Sequence, residues 1–395
     1  MERRALLQWH TRTVLLVSAL ICNAALAQTP APTPAPATPP AAAPATPPAE
    51  PKPKAWYEEL TLNAFVSAGY LYNLNHPSNR LNVLRVFDAE DNTFSISVAE
   101  LAVQKAVSAP SDVGFLVDLD FGGTISPRTV AFGDTPGNFD LRQGFASWIA
   151  PVGSGLRLDV GKFVTHTGYE VIDGYAGYND NYSRSFLFNY AIPFTHTGAK
   201  VSYTFSPMLS AMVMVANGWD QVLAKQKGKM VGAEVALTLI EPLSIVLNYC
   251  GGSENIVPGT DKFRQLFDAV AIYKATSWLT IGLNGDYGIE SGTSKTTPGA
   301  DATWYGGAGY VRLDAPAGYG LAVRAEAFKD AGGTRLPVST TVYEGTATAF
   351  YKLSSRFVMR AEFRLDASSD PIYTQNDGTL GKTQPTLAVN TLFAY

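Results

Sequence analysis

From Trp56 onward, apolar and polar residues alternate in short runs, and no segment of helical length carries a sustained 3.6-residue stripe. The clearest run is Arg356–Asp366, with Phe357, Met359, Ala361, Phe363 and Leu365 on one face and Arg356, Arg360, Glu362, Arg364 and Asp366 on the other. Gly320–Lys329 sets Leu321, Val323, Ala325 and Ala327 against Arg324 and Glu326. Gly114–Gly122 sets Phe115, Val117, Leu119 and Phe121 against Asp118 and Asp120, and Leu156–Gly161 sets Leu156, Leu158 and Val160 against Arg157 and Asp159. A period of two describes a strand with two unlike faces. The apolar faces are aromatic and aliphatic, the polar faces carry paired opposite charges, and the segments have the roughly ten residues a tilted strand needs to cross a bilayer.

The pattern predicts sixteen strands, from Leu60–Leu71 to Thr386–Tyr395, with Leu243–Cys250 and Arg264–Lys274 as the ninth and tenth; fourteen or eighteen also fit. The joins alternate in length. Ser108–Ser111, Ser206–Met208, Glu241–Pro242, Ala315–Gly318 and Ser354–Ser355 are short, whereas Asn73–Asn92, Gly251–Phe263, Ile289–Asp301 and Ala367–Pro385 are long and polar. An even strand number with short turns on one side and long loops on the other is the plan of an outer-membrane barrel. Closure removes every sheet edge and, in lipid, satisfies every backbone polar group. The fold class is therefore all-β, a transmembrane antiparallel β-barrel. One conflict of parity, Phe94, Ile96 and Val98 followed by Leu101 and Val103, predicts a bulge near Ala99–Glu100.

The N-terminus is different in texture. Arg3, Arg4 and Arg12 precede the apolar run Val14–Cys22 and an Ala25-Leu26-Ala27 cleavage site, so residues 1–27 read as a signal peptide. Ile21 stands where a lipoprotein would carry a small residue before Cys22, which argues against lipidation. Residues 28–55 are Pro/Ala-rich and suit a disordered, extended periplasmic linker, leaving 56–395 for the barrel. Without Glu2, Arg3, Arg4 and Arg12, the 30 basic and 34 acidic residues reduce to a net charge of −6. No basic stripe exists to neutralise phosphates, so nucleic acid is not an expected partner. Cys250 is then the sole cysteine, which excludes an intramolecular disulfide, and within Ile245–Cys250 it reads as a packed small hydrophobe.

The longest non-strand stretch of the barrel region is His166–Pro193, rich in Gly, Tyr, Asn and Asp and bounded by two copies of Thr-His-Thr-Gly, 165–168 and 195–198. It joins the fifth and sixth strands on the long-loop side. An inward fold would make Glu170, Asp173, Asp180 and Arg184 a channel constriction, with His166, Gly168, His196 and Gly198 as its hinges. Tyr169, Tyr175, Tyr178, Tyr182 and Tyr190 would pack the loop against the wall or stack on a sugar. The polar strand faces would line the interior with Asp118, Asp120, Arg157, Asp159, Arg324, Glu326, Arg360, Glu362, Arg364 and Asp366. Sixteen strands leave a channel, and this mixed lining with its excess of acid predicts weak cation preference.

Several stretches resemble the beta-barrel porin-2 (OmpL-like) family of bacterial outer-membrane proteins. They include Phe65–Tyr72 (FVSAGYLY), Gly114–Gly122 (GFLVDLDFG), Val160–Glu170 (VGKFVTHTGYE), Asn181–Phe188 (NYSRSFLF), Pro193–Gly198 (PFTHTG), Asn217–Asp220, Val323–Phe328 and Arg360–Asp366. The resemblance covers nearly all of Trp56–Tyr395. It implies a porin-like barrel in the bacterial outer membrane, and it supplies no substrate and no binding residues. The ending Val389–Tyr395 resembles the C-terminal signal read by the barrel-assembly machinery, with Phe393 and Tyr395 as its aromatics; Tyr395 departs from the usual terminal Phe. The expected function is passive diffusion of small hydrophilic solutes through a water-filled pore, with outer-membrane lipid as surroundings and a homo-oligomer possible.

Two other functions compete. A narrow or plugged barrel could serve as a scaffold, tethered through its linker to periplasmic or cell-wall partners. An outer-membrane hydrolase would need His with a carboxylate, and His166 or His196 with Glu170 or Asp173 could supply them. However, His10, His76, His166 and His196 are the only histidines, and no G-x-S-x-G or H-E-x-x-H motif occurs. Neither a catalytic group, a cofactor nor a metal is expected from the sequence.

Overall fold

The computed structural model describes residues 55–123, 137–257 and 260–395. The signal peptide and all of the linker but Ala55 lie outside the described residues, as does most of the connection between the third and fourth strands. A short helical turn, Trp56–Glu59, precedes the barrel region.

Sixteen antiparallel strands close into one barrel. They are β1 (Leu60–Asn73), β2 (Thr93–Lys105), β3 (Val113–Phe121), β4 (Phe139–Ala150), β5 (Leu156–Val164), β6 (Thr195–Ser206), β7 (Leu209–Ala216) and β8 (Met230–Ile240). There follow β9 (Leu243–Val257), β10 (Thr260–Lys274), β11 (Leu279–Glu290), β12 (Ala302–Asp314), β13 (Tyr319–Asp330), β14 (Thr341–Lys352) and β15 (Phe357–Ser368). A small hairpin, β16 (Tyr373–Thr374) with β17 (Leu380–Gly381), occupies the last long loop, and β18 (Thr383–Ala394) completes the wall by pairing with both β15 and β1.

The period-two faces decide what points where. Along β13 and β15 the even positions Arg324, Glu326, Arg360, Glu362, Arg364 and Asp366 are buried in the interior, while Val323, Met359, Phe363 and Leu365 are exposed on the outside. Val213, Leu283 and Val389 continue the apolar outer face, which lipid would cover. Phe393 and Tyr395 also face outward, and the Arg356 guanidinium lies 4.4 Å from the Tyr395 ring centre.

Two local expectations change. The β2 bulge falls at Ser97–Val98, two residues before the expected place, because Ser67 pairs with Val98 and the next residue, Ala68, with Ile96. Both Ser97 and Val98 therefore turn inward. The expected loop Gly251–Phe263 is mostly ladder: β9 runs on to Val257 and β10 starts at Thr260. Gly251 and Gly252, at the start of that expected loop, sit opposite Gln265 and Arg264 in the ladder.

Gly161 of β5 pairs with Gly198 of β6, and both sites exclude a side chain. A Cβ on Gly161 (φ +143°) would stand 2.2 Å from the Gly144 carbonyl oxygen, and one on Gly198 would stand 2.0 Å from that of Val215. Glycine here lets adjacent strands fold tightly over one another beside the loop.

Candidate functional site

The loop between β5 and β6 does not project outward; it enters the barrel and bonds to the wall on nearly every side. At its start, Gly168 turns the chain at φ +85° and its N–H donates to Asp268 of β10 (3.0 Å). The Tyr169 N–H donates to Asn284 of β11 (3.2 Å), and its ring stacks on Tyr310 of β12 with centres 3.9 Å apart. Further on, Glu362 of β15 accepts the N–H groups of Tyr182 (2.6 Å) and Ser183 (3.0 Å), and Glu326 of β13 accepts that of Phe186 (2.7 Å). A wide helical turn, Leu187–Ala191, follows and ends with the Trp304 indole N–H donating to the Ala191 carbonyl (3.0 Å).

The four residues expected to line a constriction are engaged in holding this loop. Glu170 pairs with Arg324 at 2.6 Å and also accepts the Ser185 N–H (2.7 Å). Arg324 in turn pairs with Glu344 at 2.6 Å, so one guanidinium joins β13, β14 and the loop. Asp173 pairs with Arg184 at 2.9 Å, and Asp180 pairs with Arg312 of β12. On the opposite wall Arg142 of β4 pairs with Glu100 and Asp118 and donates to the Asp173 carbonyl (2.7 Å). Glu100 also accepts the Tyr175 N–H (2.6 Å). Arg360 donates to the Asn179 carbonyl (2.8 Å), and Arg364 donates to that of Arg184 while pairing with Asp366 at 2.6 Å.

Buried charges are stable only when paired and hydrogen-bonded, and Arg142, Glu170, Asp173, Arg324, Arg360 and Arg364 are held here by guanidinium–carboxylate and guanidinium–carbonyl contacts. Asp118, Asp120, Asp159, Arg324, Arg364 and Asp366 carry no exposed surface at all. Arg157 differs: its side chain is 34 % exposed near the short-turn end, where it pairs with Asp159 at 2.9 Å. The loop thus meets Arg324, Arg360, Glu362 and Arg364 directly, so these residues are not bare to a wide channel. A hollow between loop and wall, lined by Phe87, Ile172, Asp173, Tyr182 and Arg184, holds about 20 Å³.

The two hinge motifs are joined to each other, His196 Nε2 standing 3.2 Å from Thr165 Oγ1. Only the first contains a turn. Gly198 is extended within β6, contrary to the expected glycine hinge at both ends. The His–carboxylate pairing considered for hydrolysis does not form, because Glu170 and Asp173 are turned to Arg324 and Arg184. The loop tyrosines pack: Tyr178 stacks with Phe65 at 6.5 Å, Tyr182 lies with Leu71 and Ala388, and Tyr190 borders the largest apolar cluster.

A second internal segment escaped the sequence reading. Leu84–Asp88, between β1 and β2, is buried, with Phe87 against Phe188 and Phe194 (5.7 Å each) and Arg85 paired with Asp366 at 2.9 Å. Arg142 was missed as well. The apolar run Val83–Phe87, broken only by Arg85 within an otherwise polar loop, was the available signal.

A closed sixteen-strand barrel with a lipid-type outer face and a loop folded into a charged interior defines a porin-like barrel of the bacterial outer membrane. A family model described as "Putative beta-barrel porin-2, OmpL-like" matches residues 59–395, and the chain belongs to that family. A search of curated proteins found no match. Among solved structures, an anion-selective porin from Comamonas acidovorans aligns with a TM-score of 0.60 at 12% identity, covering 85% of this chain and 99% of that one. Salmonella typhi OmpF in complex with daunomycin gives 0.58 at 12%, covering 86% and 99%, and the outer membrane channel DcaP of Acinetobacter baumannii gives 0.57 at 12%, covering 85% and 97%. At these identities the likeness is one of fold.

Proposed function

We propose that the chain is a channel for passive diffusion of small hydrophilic solutes, with the internal β5–β6 loop as its constriction and a weak preference for cations. The observation that supports this most is the loop's attachment to both walls, to Arg142 and Glu100 on one side and to Arg324, Arg360 and Glu362 on the other. Glu170, Asp173, Asp180 and Arg184 then act as anchors that set the aperture, not as bare walls of it. Cation preference draws on the buried charges among the described residues, where carboxylates outnumber Lys and Arg. Catalysis draws no support, since each candidate carboxylate is committed to an arginine. Phe393 and Tyr395, facing outward on the closing strand, suit recognition by the barrel-assembly machinery.

The test is single-channel recording in planar bilayers. Wild type should show small conductance, and deletion of Gly174–Asn181 should raise it several-fold while the barrel still shows its heat-dependent gel shift. Reversal potentials in a salt gradient should favour cations; clear anion selectivity would sink that part. The near-complete burial of the mid-barrel favours a second reading, a plugged scaffold barrel. If neither wild type nor the deletion admits sugars in liposome swelling, the scaffold reading prevails.

A further inference from the structure

One flank of the interior lies outside the ionic network. Met214 of β7, Gly232 of β8 and Cys250 of β9 are register partners in one cross-strand row and all face inward. His166, at the start of the internal loop, lies over this row with Nε2 3.8 Å from Cys250 Sγ. His196 of β6 stands beside it, the two imidazole centres 5.8 Å apart. One donor atom from each of His166, His196 and Cys250 lies within 4.8 Å of the other two. Gly232 keeps this space open: a Cβ there would meet Met214 Cε at 2.4 Å and His166 Cε1 at 3.1 Å.

A second observation points to a ligand. His196 has no exposed surface, yet its Nδ1 has no hydrogen-bond partner. Buried polar atoms are almost always satisfied, so an open nitrogen on an imidazole that offers a ligand atom to this His–His–Cys cluster is a donor awaiting an acceptor of lone pairs. Lys200, further along β6, does not fill that role, because its ammonium faces Asp159 at 3.7 Å and lies 4.9 Å from the Phe163 ring centre.

We propose that His166, His196 and Cys250 bind one thiophilic d-block cation of the Zn(II) or Cu(I) class, with the Met214 thioether beside the open coordination position. Two imidazoles and a thiolate are the donors such ions prefer, whereas Mg(II) and Ca(II) demand oxygen. Binding would form one metal–sulfur and two metal–nitrogen bonds and release the Cys250 thiol proton to solvent. Because His166 belongs to the loop and the other two to the wall, the ion would clamp the loop's first residues to β6 and β9. The site stands on its own geometry, whether or not the barrel conducts.

The test uses the full-length, tag-free, reduced protein folded in detergent, with Co(II) as spectroscopic probe and Zn(II) for competition. One Co(II) per chain should bind with a near-ultraviolet thiolate-to-metal charge-transfer band that Zn(II) abolishes. Cys250→Ser should remove the band. His166→Gln and His196→Gln should each weaken binding by more than the roughly tenfold that loss of an outer-shell partner of a ligand costs, with the heat-dependent gel shift confirming that each variant is folded, and exposed His76→Gln should leave binding unchanged. Zn(II) should raise the wild-type unfolding temperature and leave that of Cys250→Ser unaltered. Folded wild type without the band, or metal uptake that survives Cys250→Ser, would overturn the assignment.

Discussion

The two Thr-His-Thr-Gly segments have one sequence and two structures. In residues 165–168 the chain leaves β5, His166 is partly exposed, and Gly168 turns at φ +85°. In residues 195–198 the chain is already β6, His196 is fully buried, and Gly198 is extended against the β7 backbone. The external partners account for the difference. The first copy meets Asp268, which accepts one N–H from Gly168. The second meets Asp220, which accepts those of Phe194 (2.6 Å) and Thr195 (2.9 Å) and so fixes the chain where the ladder with β5 begins. Identical local preferences are overruled by what each copy is paired to.

Substitutions at equivalent positions should therefore have unequal effects. The largest is expected for Gly198→Ala, whose Cβ would lie 2.0 Å from a main-chain oxygen that can move only if β6 and β7 separate. We expect a cost at or above the ~3 kcal/mol upper end of overpacking and failure to assemble, read as loss of the heat-dependent gel shift. Gly168→Ala should be milder. Its Cβ would meet the terminal methyl of Ile192, a side-chain rather than main-chain atom, at 2.7 Å, and the left-handed conformation adds about 1–2 kcal/mol. That variant should assemble, unfold at a lower temperature and give noisier channel currents; equal behaviour of the two alanine variants would remove the distinction.

The smallest effect is a pH dependence at the second copy. Burial pushes the Asp220 carboxyl up to about 6, outweighing the N–H donors of Thr195 and Phe194 that favour its charged form. A carboxyl raised in the folded state binds its proton more tightly there than in the unfolded chain. Its contribution is therefore fully present below the ordinary carboxylate pKa and declines as pH rises from about 4 to about 6. Wild type should lose a little unfolding temperature across that interval relative to Asp220→Asn, measured by the same gel assay in buffered detergent.

The barrel was legible in the sequence for a simple reason. Lipid outside and charge inside impose opposite requirements on successive residues, so a strand such as Arg356–Asp366 displays both its period and its length without reference to any neighbour. Small departures arose where that signal is weak: the bulge at Ser97–Val98 is set by register with Ser67 and Ala68, and the β9–β10 hairpin outruns its glycines because cross-strand pairing continues past them.

Sequence alone thus determined the strand class, the alternation of turns and the place of the long loop, since each follows from residues close together in the chain. Tertiary structure alone decided that Glu170 meets Arg324, that Asp173 meets Arg184 while Arg142 reaches across to the loop, and that His166, His196 and Cys250 share one pocket. Those contacts join residues up to 154 positions apart, and they exist only because closure of the sheet curves the polar faces of distant strands towards one enclosed loop.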